Sequence, residues 1–71
     1  MMAIHGDVFP HELRVGDVVE IGGSEWRVMS KPRVRPRGKS LEIALEHVKH
    51  RGEFMVWSFD QYRRVRRVEV C

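Results

Sequence analysis

The sequence predicts an all-β chain in which five short strands form a small, partly open barrel behind a short N-terminal arm. Three observations lead there. Apolar residues recur at every second position in Leu41-Glu42-Ile43-Ala44-Leu45-Glu46, the spacing of a strand with one buried face. Turn signals at Gly16-Asp17, Gly22-Gly23, Gly38 and Gly52 divide the chain into pieces of strand length. Pro32 and Pro36 lie in the long basic stretch, where they favour extended backbone and oppose a helix.

Residues 1–12 are expected to be a flexible arm, because Gly6 and Pro10 break it, with Val8 and Phe9 tucked against the barrel. The barrel itself is assigned to residues 13–71. Leu13 to Asp17 forms an entry turn, with Gly16-Asp17 reversing the chain. Val18–Ile21 is the first strand, and Gly22-Gly23 is a two-residue hairpin turn. The second strand, Glu25–Ser30, points Trp26 and Val28 inwards and Glu25 and Arg27 to water. Arg37-Gly38-Lys39-Ser40 reads as the tip of a longer hairpin, with Gly38 expected at positive φ.

Leu41–Val48 is the third strand. Its Leu, Glu and Ala content also suits a helix, and the period of two decides for the strand. Lys49 to Gly52 makes the next turn, and Glu53–Phe59 the fourth strand. That strand is apolar on both faces, Phe54 and Val56 on one, Met55, Trp57 and Phe59 on the other. A single-layer barrel buries one face, so the other needs cover from the arm or tail, or a partner. Asp60-Gln61-Tyr62 suits one turn of helix. The valines of Arg63–Val70 step by three and then by two, which predicts a bulge in a fifth strand. Five strands in 71 residues match the SH3 or OB size class.

The charge balance is 13 Lys and Arg against 10 Asp and Glu, a formal +3 that conceals segregation along the chain. Arg27, Lys31, Arg33, Arg35, Arg37 and Lys39 occupy a stretch with no acid, all at odd positions, so an extended chain would project them from one face. A second group, Arg63, Arg64, Arg66 and Arg67, lies in the last segment, beside that stretch or far from it. The single Cys71 excludes an intramolecular disulfide and leads us to expect a reducing, cytoplasmic setting. No apolar run approaches membrane-spanning length and the first residues lack a signal-peptide pattern, so a soluble monomer with no membrane partner is expected.

Leu13-Arg14-Val15-Gly16-Asp17-Val18-Val19-Glu20-Ile21-Gly22-Gly23, followed by Glu25-Trp26-Arg27-Val28, resembles the opening of KOW-like, SH3-type barrels of the translation machinery. Most similar is the N-terminal domain of bacterial elongation factor P and its archaeal and eukaryotic relatives. In that family a strand, a Gly turn and a second strand lead to a basic loop with a Pro-Gly-Lys-Gly tip. Arg35-Pro36-Arg37-Gly38-Lys39-Ser40 stands in that place, so the resemblance implies that Lys39 corresponds to the lysine those factors modify and present to RNA. Arg37 is extra, Ser40 replaces the second Gly, and the family's two further domains are absent from the sequence given. The resemblance covers about residues 13–70 and implies the barrel and a leaning towards RNA or nucleoprotein partners.

Two functional readings follow. In the first, a non-enzymatic module contacts RNA, or a nucleoprotein complex such as a ribosome, through Arg27, Lys31, Arg33, Arg35, Arg37 and Lys39, joined by Arg63, Arg64 and Arg66. Trp57, Phe59 and Tyr62 are its stacking candidates, with core packing the competing role. In the second, a small accessory or phage-type regulator of translation or transcription docks on a large host assembly such as RNA polymerase, using Met55, Trp57, Phe59 and Tyr62. Catalytic residues, cofactors and metals are not expected. Glu42 and Glu46 share a strand face without a nucleophile beside them, and neither His5 with His11 nor His47 with His50 completes a ligand set.

Overall fold

The computed structural model describes residues 3–35 and 38–70, with side chains described for 6–35 and 38–68. Arg37 and Cys71 therefore lie outside the described residues. Seven strands form one antiparallel sheet: β1 Ala3–Val8, β2 Val18–Ile21, β3 Ser24–Val28, β4 Arg33–Val34, β5 Ser40–His47, β6 Phe54–Asp60 and β7 Val65–Val70. A 3-10 turn, Pro10–Glu12, follows β1. The sheet runs β1-β7-β2-β3-β5, with β4 continuing the β3 side of β5 and β6 on its other side. It stays open, with β1 and β6 at its two ends.

The all-β class and the positions of five strands agree with the sequence reading; the strand count does not. Residues 3–8 are not a loose arm but a strand paired residue for residue with β7, from Ala3 opposite Val70 to Val8 opposite Val65. That ladder supplies backbone partners from the far end of the chain, which compensates for the weak local propensity around Gly6. In the basic stretch, Arg33 and Val34 pair with Glu42 and Leu41 of β5.

The core follows from alternation on β5. Leu41, Ile43 and Leu45 are buried to 2% exposure or less, and Val19 and Val28 meet Ile43 and Leu45 from β2 and β3. Leu13, Phe59 and Val65 complete the cluster, and Val8, Ile21, Trp26 and Met55 pack at its margin. Removing each such side chain from water is worth about 1.5–3 kcal/mol. Both central residues of the β2–β3 turn are left-handed, Gly22 at φ 58° and Gly23 at φ 82°, as a tight hairpin requires.

Three local expectations are corrected. Gly38 is not among the positive-φ glycines; its N–H donates to the Arg35 carbonyl at 3.3 Å. Asp60–Tyr62 is not a helical turn: β6 runs through Asp60, whose carboxylate accepts from the Tyr62 N–H at 2.9 Å while its carbonyl accepts from Arg63. β7 carries no bulge within its pairings to β1 and β2. Val65 and Val68 are both buried although they lie on opposite faces of that strand, and only Val65 joins the core cluster.

Candidate nucleic-acid interface

The position of each cation depends on how β3 and β4 run along β5. Val28 pairs with Leu45 and Arg33 with Glu42, so the four residues 29–32 face only Ala44 and Ile43. The surplus is fastened at Ala44: its carbonyl accepts from the Met29 N–H at 2.8 Å, and its N–H donates to the Ser30 hydroxyl at 3.1 Å. An even surplus returns Arg33 to the face occupied by Arg27, but Lys31 falls within the bulge. Lys31 lines a groove with Val34 and Leu41, whereas Arg33 lines one with Glu42, Ala44 and Val56 on the opposite face. The single row expected of the odd-numbered cations is thus broken at Lys31.

On that outer face the stretch meets the carboxylates it lacks in sequence. Arg27 stands opposite Glu46, with its Nη1 at 3.7 Å from Glu46 Oε1. Arg35 Nε donates to Glu42 Oε1 at 3.0 Å, and Arg33 stands across the ladder from the same glutamate. Glu46 is held further by the Gly52 N–H, at 3.2 Å. In the second group Arg66 approaches Glu20 at 3.9 Å. Exposed pairs of this kind add little stability, but they place a negative charge beside each of these guanidinium groups.

A different grouping forms at the end of the sheet. The Gln61 N–H donates to the Lys39 carbonyl at 2.8 Å, and Ser40 pairs with Asp60. The turn bearing Tyr62, Arg63 and Arg64 therefore sits beside Lys39 and Ser40. Lys39, Tyr62, Arg63 and Arg64 are all exposed. A cleft of about 420 Å³ opens here between β6 and the β7–β2 side, with Trp57 on one wall and Arg63, Arg64 and Arg66 on the other. Asp60 and Glu20 also line it, the former with one oxygen already accepting from Tyr62. The Arg64 guanidinium lies 5.2 Å from the centre of the Phe9 ring, a cation–π contact between residues far apart in sequence. Guanidinium and ammonium groups next to exposed aromatic rings can hold phosphates and stack bases.

The expected docking set divides. Phe59 is core, at 6% exposure, and Met55 packs against the core, so neither offers a surface. Trp57 and Tyr62 remain accessible at 41% and 69%. The exposed face of β6 is the other one: Phe54 and Val56 stand at 62% and 64%, without cover from the N-terminal strand, which pairs with β7 instead.

Glu42 and Glu46 share a face as expected, each committed to an arginine. His47 packs edge-on against Trp26 at 4.8 Å and next to His50 at 4.6 Å, while its Nδ1 accepts from the Lys49 N–H at 3.1 Å. No group of three or more His, Cys, Asp or Glu among the described residues is placed to hold a metal ion. No described helix is long and apolar enough to cross a membrane. Comparison with protein-family profiles, with curated proteins and with solved structures returned no match.

Proposed function

We propose that this chain is a non-enzymatic binding module that holds single-stranded RNA, free or within a nucleoprotein machine such as the ribosome, at the end of its sheet. Lys39, Arg63 and Arg64 contact phosphates, and Trp57 and Tyr62 stack bases. The observation that carries this reading is the hydrogen bond from Gln61 to Lys39, which sets two basic segments distant in sequence side by side. The open sheet is taken as a KOW-like variant of a small SH3-type barrel. The resemblance of about residues 13–70 to that class, including the place of Lys39 at the tip, supports RNA over duplex DNA.

This placement revises the expected interface. Arg27, Arg33 and Arg35 are positioning and pairing groups of the outer face, Lys31 belongs to another surface, and Arg66 is tempered by Glu20. In a titration of the labelled chain with a short uridine-rich RNA, amide shift changes are expected at Lys39, Trp57 and Gln61–Arg64. Changes centred on Arg27 and Arg33 would refute the placement.

A second reading keeps one specific observation in its favour, the exposure of Phe54 and Val56 on the edge strand β6. There the chain is an accessory or phage-type regulator that docks on a large assembly such as RNA polymerase by an apolar strand face. The same titration separates the two: no shift with RNA at low salt removes the first reading and leaves the second.

A further inference from the structure

Opposite the Arg–Glu face lies a groove of about 600 Å³ between the Leu13–Val15 loop and the segment from Lys31 to Val34. The size falls within the roughly 300–1,000 Å³ of ligand sites. Leu13 and Leu41, both almost fully buried, form its floor, and Val15, Pro32 and Val34 its walls. Val15 and Val34 are nevertheless 59% and 68% exposed, an unusual state for β-branched residues facing one another across a concave surface.

Its polar lining is of one kind. Arg14, Lys31 and His11 stand at the rim, and among the described residues no carboxylate, amide or hydroxyl side chain lines the groove. Among the described residues neither Arg14 nor Lys31 forms an ion pair, in contrast with Arg27 and Arg35. The Arg14–Asp17 turn is closed through the Arg14 backbone N–H, which donates to the Asp17 carboxylate at 2.9 Å. His11 stacks on Phe9, with ring centres 5.8 Å apart and planes 7° off parallel.

We propose that this groove receives an extended acidic peptide, which seats one aliphatic side chain on Leu13 and Leu41 and lays flanking carboxylates against Arg14, Lys31 and His11. The lining selects among anions. A nucleobase finds no amide or carboxylate side chain among the described lining residues to read its hydrogen-bonding edge. A fatty acid brings one charge to a rim with three donors and leaves much of its chain wet in so open a groove. A peptide with several carboxylates around one leucine matches both the floor and the rim. This surface is separate from the proposed RNA contacts, so either reading can fail without the other.

The test is an amide-shift titration of the full chain with a capped peptide carrying one leucine between two pairs of glutamates. Shifts are expected at residues 11–15, 31–34 and 41. Lys31→Glu and Arg14→Glu, each checked for an undisturbed spectrum, should weaken binding by about tenfold, as should leucine-to-serine replacement in the peptide. Lys49→Glu, on a different turn, should leave affinity unchanged. Equal binding of a lysine-flanked peptide or of decanoate, displacement by an RNA oligomer, or no shift at millimolar peptide would each overturn the proposal.

Discussion

The outer face of β3–β5 and the end of the sheet carry arginines in different electrostatic settings. On the face, Arg27 and Arg35 stand 3.7 and 3.0 Å from Glu46 and Glu42. At the end, Arg63 and Arg64 line a cleft with Trp57, where the Asp60 carboxylate is engaged in the turn and Glu20 lies 3.9 Å from Arg66. A cluster of cations in sequence is therefore no measure of local potential. What counts is the strand that pairs with it, and β5 brings a glutamate to every second position of that face.

β5 supports both regions, so cutting into its buried side should erase the contrast altogether. Leu45→Ala removes a fully buried side chain opposite Val28, and we expect a loss of about 3 kcal/mol in urea unfolding. In a domain this small such a loss leaves little folded protein at 37 °C. A loss under about 1 kcal/mol would mean that the alternation on β5 does not hold the two regions together.

A gentler change sharpens the contrast. Glu42→Gln with Glu46→Gln leaves the scaffold and all cations in place but removes the charges beside Arg27 and Arg35. RNA affinity at low salt should rise by about threefold and amide shifts should spread onto β3 and β4, with stability changed by less than about 1 kcal/mol. If affinity and shift pattern stay as they were, these carboxylates do not restrain the face.

Much of this fold is legible in the sequence. Strict alternation at Leu41, Ile43 and Leu45 locates the central strand, and Gly22-Gly23 locates the β2–β3 hairpin, because both signals are local. β1 is not legible, since its partner β7 begins more than fifty residues away and Gly6 weakens any local pattern. β4 is only two residues long and follows Pro32 directly. For the site, the shared parity of the cations is readable, but Lys31 leaves the row because two extra residues are accommodated opposite Ala44 and Ile43. The approach of Gln61 to Lys39 and of Arg64 to Phe9 has no sequence signal of any kind. Likewise Arg14 reads as part of a turn until the groove joins it to Lys31.

The most direct measurement compares the salt dependence of RNA binding in two variants. Replacing Lys39, Arg63 and Arg64 together by alanine should reduce the slope of log affinity against log salt by about 2, near 0.7 per phosphate contact on a single strand. Replacing Arg27 and Arg35 by alanine should leave the slope unchanged. The reverse outcome, with the slope carried by Arg27 and Arg35 and untouched by the triple replacement, would contradict the assignment of binding to the end of the sheet.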